Sequence, residues 1–280
     1  MGTLDGKVAV ISGAARGQGR SHALRLAKEG ADIIALDICR DIPTMDYPNA
    51  TPADLERTVE EVERLDRRIR ASQTDVRDLD AVRAAIDEGV AQLGRVDIVL
   101  PQAGIVRYEK SDDIVGNAAA FKDILDVNLT GYWNVVEVCI PHLIAGGRGG
   151  VIVMTGSVAA TRPVGATGAS VAYMAAKHAT VGMMKTYALA LAKHNIRVNV
   201  VHPTGVRSGM TENAAMARIA AEAASGNARE DNWVARSQNL LDVQILEPED
   251  ITDAVAFLVS EQAKWLTGQE IKVDAGFTLL

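Results

Sequence analysis

Cysteine, aromatic residues and long apolar runs are scarce in this sequence of 280 residues. The two cysteines, Cys39 and Cys139, stand in no spacing typical of a metal site or a redox pair, so we expect two small buried side chains. The five histidines show no close ligand spacing with a cysteine or an acid. We therefore predict no metal site.

Membrane-spanning runs and clustered positive charge are missing as well. No apolar stretch reaches the roughly 18 residues of a spanning helix, and residues 1–10 lack the features of a signal peptide. The net charge of −7 argues against a nucleic-acid partner. The arginines within residues 64–70 follow glutamates within residues 60–63, as on a solvated helix face. We expect a soluble, cytoplasmic protein.

What is present is a regular alternation of short apolar runs and helix-like segments, with 48% hydrophobic residues. Such alternation is typical of a doubly wound parallel sheet. We predict an α/β chain of Rossmann type, with about seven strands, helices on both faces and one domain over residues 1–280. The strands we predict explicitly are residues 7–12, 32–37, 97–101, 151–156, 196–202 and 270–274.

A glycine-rich loop, Ser12-Gly-Ala-Ala-Arg-Gly-Gln-Gly19, separates the first predicted strand from a helix predicted over residues 21–29. A strand, a glycine turn and a helix in this order place a pyrophosphate against backbone N–H groups at the positive end of the helix dipole. The loop therefore predicts a nucleotide site, although a glycine triplet alone would be weak evidence. Its candidate residues are Gly13, Arg16, Gly17, Gln18 and Gly19.

The second predicted strand ends in Asp37, eighteen residues after Gly19. A carboxylate at this position can accept both ribose hydroxyls of the adenosine half and repels a 2′-phosphate, which favours NAD over NADP. Arg16 and Arg40 are counter-evidence, because either could approach a phosphate. An ordinary polar strand end is the alternative interpretation of Asp37.

Tyr173-Met-Ala-Ala-Lys177 places a phenol and an ammonium group four residues apart, sixteen residues after Ser157. On a helix the two side chains share a face, and the cation would lower the tyrosine pKa from about 10 towards the working pH. Tyr173 would then exchange a proton with an alcohol or a carbonyl, while Ser157 hydrogen-bonds the same oxygen. Because most such pairs lie on surfaces, companion motifs decide the interpretation.

With these companions, the chain resembles the short-chain dehydrogenase/reductase family over essentially its full length. Further matching motifs follow the third, fourth and sixth strands or lie on a helix: Asp75-Val76, Ala103-Gly104, Pro203-Thr-Gly-Val206 and Asn128-Leu-Thr-Gly131. The resemblance implies hydride transfer between NAD and a secondary or cyclic alcohol or ketone. Tyr173 would be the acid/base, Lys177 would lower its pKa and bind the nicotinamide ribose, and Ser157 would orient the oxygen.

The resemblance also implies roles at other matching positions. Asn128 would hold a water that links Lys177 to solvent, although a structural hydrogen bond is equally open for Asn128 alone. The implied cofactor contacts are Asp75 and Val76 at the adenine, Ala103 and Gly104 near the adenosine ribose, Pro203, Gly205 and Val206 after the sixth strand, and Ser208 near the carboxamide or pyrophosphate. A homotetramer, with the apolar tail at residues 275–280 in an interface, is expected on the same basis.

A narrower resemblance is to the mycofactocin-coupled, carveol dehydrogenase-like members. It rests on a long segment after the second strand, residues 38–50, and on Gly146-Gly-Arg-Gly-Gly150 and Val201-His-Pro-Thr204. In that subgroup the nicotinamide is thought to stay bound and to be recycled by a redox peptide. The insertion at residues 38–50 would then cover the adenosine end, and a surface insertion without this role is the alternative.

A helix is predicted directly after this insertion. Thr51, Pro52 and Asp54 provide the N-cap, the first helical residue and the capping-box acid. An apolar stripe then indicates a helix that packs on the sheet and extends as far as Ile69; its members are Leu55, Val59, Val62, Leu65 and Ile69.

Three regions depart from the family pattern or remain unassigned by motif. Pro101 and Gln102 stand where the family usually has two asparagines, and the segment between Ser157 and Tyr173 is longer than usual. Residues 207–241 break the alternation and are predicted to form a lid over the substrate. Its candidate pocket residues are Met210, Met216 and Trp233, for which internal packing is an equally open interpretation.

We predict an NAD-dependent alcohol dehydrogenase or ketone reductase, and the narrower resemblance implies a mycofactocin-type redox partner. Two alternatives remain open, a reductase that exchanges NAD(P) freely and a nucleotide-binding protein without catalysis. The presence of Ser157, Tyr173 and Lys177 together argues against the second alternative.

Overall fold

A computed structural model describes residues 2–108, 114–163, 168–225, 234 and 238–280. Within these ranges the chain forms a seven-stranded parallel sheet in the order β3-β2-β1-β4-β5-β6-β7. The strands are β1 Val8–Ser12, β2 Asp32–Asp37, β3 Ile69–Gln73, β4 Ile98–Leu100, β5 Gly150–Thr155, β6 Ile196–Pro203 and β7 Glu270–Val273. The predicted doubly wound sheet is confirmed, and each of the six explicitly predicted strands lies within one residue of its observed ends.

The connections between the strands are helical. Over the described part of the chain the α-helices are α1 Gly17–Lys28, α2 Pro52–Glu63, α3 Leu79–Leu93, α4 Ile114–Leu125, α5 Gly131–Gly146, α6 Gly168–Leu191, α7 Ala214–Ala224 and α8 Pro248–Val259. A π-helical turn, Asp126–Thr130, joins α4 to α5. No helix within the described ranges is long and apolar enough to cross a membrane.

The sheet is buried on both faces, because successive side chains of each strand point to opposite sides. Val8 and Val10 of β1 belong to one apolar cluster, which contains residues of α3, α5 and α6. Ala9 and Ile11 belong to a second cluster, which contains residues of α1, α2 and α8. Because the strands are parallel, they all end at the same edge of the sheet, where the loops that follow them meet.

Helix α2 begins as predicted and ends earlier than predicted. The Thr51 hydroxyl accepts a hydrogen bond from the Asp54 backbone, and the Asp54 carboxylate accepts one from the Thr51 backbone, so the capping box is confirmed. The helix stops at Glu63, Asp66 takes a left-handed conformation (φ 55°), and Ile69 starts β3. The predicted stripe was therefore wrong beyond Val62, because the chain reverses there to enter the sheet.

Candidate active site

One cavity of about 1410 Å³ lies at the carboxyl edge of the sheet. It brings together every cofactor-binding residue predicted from the sequence and three of the four predicted catalytic residues. These lining residues are Gly13, Arg16, Gly17, Gln18, Gly19, Asp37, Asp75, Val76, Ala103, Gly104, Ser157, Tyr173, Lys177, Pro203, Gly205, Val206 and Ser208.

The glycine loop has the backbone that a closely approaching pyrophosphate requires. Gly13 (φ 70°) and Gly17 (φ 55°) have left-handed backbone conformations that residues other than glycine rarely adopt. A Cβ at Gly19 would lie 2.0 Å from the carbonyl oxygen of Gly13. Helix α1 starts at Gly17 rather than at residue 21, so its N-terminal turn lines the cavity. The loop fits a dinucleotide phosphate group at the positive end of the helix.

Asp37 ends β2 beside this loop, as the sequence predicts. Its carboxylate accepts hydrogen bonds from the backbone N–H groups of Ala15 (3.0 Å) and Cys39 (3.1 Å). Burial raises the pKa of Asp37, and the two N–H donors oppose this effect. These bonds fix the carboxylate at the cavity wall, where further lone pairs remain for ribose hydroxyls.

Each of the two arginines that could favour a 2′-phosphate is bonded to another protein group, and the Arg16 charge also lowers the pKa of Asp37. The Arg16 guanidinium donates to the carbonyl oxygen of Pro48 at 2.8 Å, within the insertion. The Arg40 guanidinium pairs with the Asp75 carboxylate at 3.1 Å. The geometry at Asp37 therefore favours NAD over NADP.

Pro101 and Gln102 are accommodated in the loop after β4 without loss of its attachment to β1. The Ser12 hydroxyl accepts hydrogen bonds from the N–H groups of Gln102 (3.0 Å) and Ala103 (3.2 Å). The side-chain oxygen of Gln102 accepts a hydrogen bond from the Thr155 hydroxyl. Gln102 thus supplies an amide contact between the β4 and β5 ends.

Ser157 and Tyr173 lie at the same cavity, Ser157 directly after β5 and Tyr173 on α6. A hydrogen bond between their hydroxyl groups lowers the pKa of Tyr173, but burial raises it more strongly. The net pKa of Tyr173 is therefore raised, not lowered as predicted from the Tyr173–Lys177 spacing. A positive charge beside the phenol would oppose this effect of burial.

Lys177 is the cation available to Tyr173. Its Nζ lies 5.7 Å from the centroid of the Tyr173 ring, so the predicted helical spacing does bring the two groups together. Nζ also donates hydrogen bonds to the Thr155 carbonyl oxygen (2.7 Å) and to the Tyr132 hydroxyl (3.1 Å). Burial lowers the pKa of Lys177 to about 7.

Asn128 is the predicted catalytic residue that does not line the cavity; it lies in the π-helical turn and is fully buried. Its side-chain amide donates to the carbonyl oxygen of Ile105 at 2.8 Å and accepts from the N–H group of Ile105 at 2.8 Å. This pair of bonds fixes the loop after β4. The role of Asn128 in holding a water remains a prediction.

The insertion at residues 38–50 crosses from the β2 end to the β4 end. The Thr44 hydroxyl donates to the Asp123 carboxylate (2.6 Å), and the Tyr47 hydroxyl accepts from the Val106 N–H group (3.2 Å). The Asp46 carboxylate accepts from the Tyr108 N–H group at 2.9 Å. These bonds attach the insertion to α4 and to the loop after β4.

Four site residues were missed by sequence reasoning: Tyr47, Tyr108, Tyr132 and His202. The signal for Tyr132 was its place directly after the Asn128-Leu-Thr-Gly131 motif. His202 lies under Ser157, with Nδ1 3.1 Å from the backbone nitrogen and 2.9 Å from the backbone oxygen of that residue. Its Nε2 lies 3.3 Å from the Glu270 carboxylate.

The remaining cavity wall is largely apolar. Met210 and Met216 line it as predicted, whereas Trp233 lies outside the described residues. The other apolar side chains at this end include Ile105, Ile219, Ile245 and Phe277. This part of the cavity suits a hydrophobic substrate.

Comparisons with known proteins agree with this geometry. A family model described as enoyl-(acyl carrier protein) reductase matches residues 13–278. The (-)-trans-carveol dehydrogenase of Rhodococcus erythropolis is 43% identical to this chain, with 100% of both sequences covered. The crystal structure of a carveol dehydrogenase from Mycobacterium avium in complex with NAD has a TM-score of 0.90 and 45% identity, with both chains fully covered.

A crystal structure of a short chain dehydrogenase from Mycobacterium paratuberculosis bound to NAD also has a TM-score of 0.90, with 42% identity and full coverage of both chains. The fold, the cavity and these similarities lead to one conclusion. The chain belongs to the short-chain dehydrogenase/reductase family.

Proposed function

We propose that this chain is an NAD-dependent dehydrogenase that oxidises a secondary or cyclic alcohol to a ketone and catalyses the reverse reduction. The observation that carries this proposal is the meeting of Ser157, Tyr173 and Lys177 in one cavity with the glycine loop and Asp37. A protein that only binds nucleotide needs no proton-transfer group beside the cofactor site, so the alternative without catalysis is disfavoured.

NAD supplies the hydride acceptor when bound. The chain's own residues handle the substrate oxygen and its proton. The Ser157 hydroxyl holds the substrate oxygen beside Tyr173, and Tyr173 takes the alcohol proton or returns it to the ketone. In alcohol oxidation the proton acceptor is the Tyr173 phenolate, and in ketone reduction the phenol gives up its proton and returns to this form; the Lys177 ammonium stabilises the phenolate in both directions.

The glycine loop and Asp37 would hold the pyrophosphate and the adenosine ribose. The NAD-containing structures of similar chains support this assignment. The remaining predicted contacts, at Asp75, Val76, Ala103, Gly104 and the loop after β6, line the same cavity and form part of the proposal.

The substrate that we propose is an apolar cyclic alcohol. This class is supported by the apolar wall of the cavity. The wall contains Met210, Met216, Ile219, Ile245 and Phe277. Carveol, named in the similar proteins, is itself a cyclic secondary alcohol. Residues 207–241 would act as the lid of this pocket within a single domain, and we expect a homotetramer in the cytoplasm.

We further propose that NAD is held tightly and is recycled by a mycofactocin-type redox partner. The support is the attachment of the insertion to Val106, Tyr108 and Asp123, which lie after β4 and on α4. An insertion that continues from β2 and is bonded to the loop after β4 and to α4 would have to detach before the nucleotide leaves, and this slows exchange.

The test is to dialyse the purified protein, denature it and identify the released nucleotide by mass spectrometry. NAD or NADH near one molecule per chain supports a retained cofactor, and empty protein that consumes added NADH with a ketone supports the freely exchanging alternative. Recovery of NADP would overturn the role of Asp37.

Tyr47→Phe tests the contribution of the insertion, because it removes the hydroxyl that accepts from Val106. We expect faster loss of NAD on dilution. Tyr187→Phe is the matched control, since the Tyr187 hydroxyl bonds to Glu137 and not to the insertion. Equal retention in both variants and the parent would count against a gating insertion.

A further inference from the structure

The ammonium group of Lys177 is buried, and among the described residues burial is the only resolved influence on its pKa. No carboxylate among them compensates its charge. The titratable groups near it are Tyr173, Tyr132 and His202. The charge of Lys177 lowers the pKa of His202. A buried ammonium needs oxygen acceptors or an aromatic face to remain charged.

Tyr132 supplies both an oxygen acceptor and an aromatic face to the Lys177 ammonium group. Its hydroxyl lies 3.1 Å from Nζ of Lys177, and its ring centroid lies 4.8 Å from the same atom. The hydroxyl donates its own proton to the Thr155 carbonyl oxygen at 3.1 Å, which leaves its lone pairs for the lysine. The other acceptor of Lys177 is the Thr155 carbonyl oxygen itself.

The location of Tyr132 makes this arrangement rigid. It is 1% exposed and lies on the first turn of α5, within the core cluster. Burial raises the pKa of its phenol, so Tyr132 remains neutral and cannot serve as a base. Two of the three ammonium protons are bonded to Tyr132 and Thr155, and one remains for the cavity that Lys177 lines.

We infer that Tyr132 is a positioning residue, which keeps Lys177 charged and holds its ammonium group beside Tyr173. This inference rests on the proposed function, in which the charge on Lys177 stabilises the Tyr173 phenolate. Asn128 does not substitute for Tyr132, because both of its amide hydrogen bonds go to Ile105.

The test is Tyr132→Phe, which keeps the ring and removes only the hydroxyl. Hydrogen bonds to charged groups are strong enough that we expect the pKa of Lys177 to fall by about one unit. Titration of the lysine Cε signals by carbon NMR measures this value, and Lys177→Met identifies the signal. The Thr155 carbonyl oxygen keeps its bond to Lys177, so we expect the variant to fold.

A second variant and a matched control sharpen the result. Tyr132→Leu removes the ring as well as the hydroxyl, and should lower the pKa of Lys177 further than Tyr132→Phe does. Tyr187→Phe makes the same chemical change at a hydroxyl bonded to Glu137, and should leave the pKa of Lys177 unchanged. Melting temperatures of all variants report whether the fold is kept.

Kinetics provide the functional readout. Loss of charge on Lys177 ends catalysis at high pH, so the basic limb of kcat/KM for alcohol oxidation should move down by about one pH unit in Tyr132→Phe. A folded Tyr132→Phe protein with an unchanged Lys177 pKa and an unchanged basic limb would overturn the inference. If the parent oxidises no alcohol, the proposed function fails, and the NMR titration still decides the role of Tyr132.

Discussion

His22 should make this protein lose stability in mild acid. The side chain lies on α1 and is 1% exposed, with Nδ1 2.7 Å from the Thr252 hydroxyl of α8. Its buried Nε2 makes no hydrogen bond of normal geometry among the described residues, and the nearby Gln102 side chain favours its protonation less than burial opposes it. Burial lowers the pKa of His22 from 6.5 to about 4, so the folded state resists protonation.

The direction follows from proton binding. Between pH 6.5 and about pH 4 the unfolded chain binds a proton at His22 and the folded chain does not. The stability contribution is therefore present above pH 6.5 and is lost as the pH falls through this window. A difference of about 2.5 units corresponds to about 3 kcal/mol of unfolding free energy.

Urea unfolding of the parent and of His22→Asn, at one protein concentration and at several pH values, isolates this contribution. The variant removes the titrating group, so its stability should fall by about 3 kcal/mol less than that of the parent between about pH 7 and about pH 4. His142→Asn is the control, because His142 is partly exposed and pairs with Asp87 at the surface. Identical pH dependence in the parent and His22→Asn would refute the reasoning.

Three other changes have defined outcomes. Gly19→Ala places a methyl group 2.0 Å from the Gly13 carbonyl oxygen and should abolish nucleotide retention, and full occupancy by mass spectrometry would contradict this. Asp37→Asn should weaken the preference for NAD over NADP by roughly tenfold, and an unchanged ratio of the two Kd values would count against the ribose contact. Thr51→Ala removes the N-cap bond to Asp54 and should cost about 1 kcal/mol in thermal unfolding, so an unchanged Tm would exclude that contribution.

The sheet and the cofactor half of the cavity were predictable because they depend on local signals. Short continuous apolar runs indicate the buried strands, and positive backbone angles at Gly13 and Gly17 require glycine in the turn. The capping box at Thr51 and Asp54 likewise places the start of α2. The end of that helix was mispredicted, because the left-handed turn at Asp66 has no comparable local signal.

The contacts that set the protonation of Tyr173 and Lys177 could not be predicted from the spacing of residues along the sequence. Tyr132 and Lys177 are 45 residues apart in sequence and meet only because α5 and α6 pack beside the β5 end. The raised pKa of Tyr173 and the lowered pKa of Lys177 both result from burial, which a motif does not reveal. The attachment of Tyr47 to Val106 is likewise a property of tertiary structure.

The most direct measurement is hydride transfer from a deuterated cyclic secondary alcohol, followed by mass spectrometry of the nucleotide recovered from the protein. We predict deuterium in the nicotinamide of the parent. The Tyr173→Phe variant should retain NAD but transfer deuterium at least about a hundredfold more slowly. Transfer by this variant within about tenfold of the parent would contradict the role of Tyr173 as the acid/base.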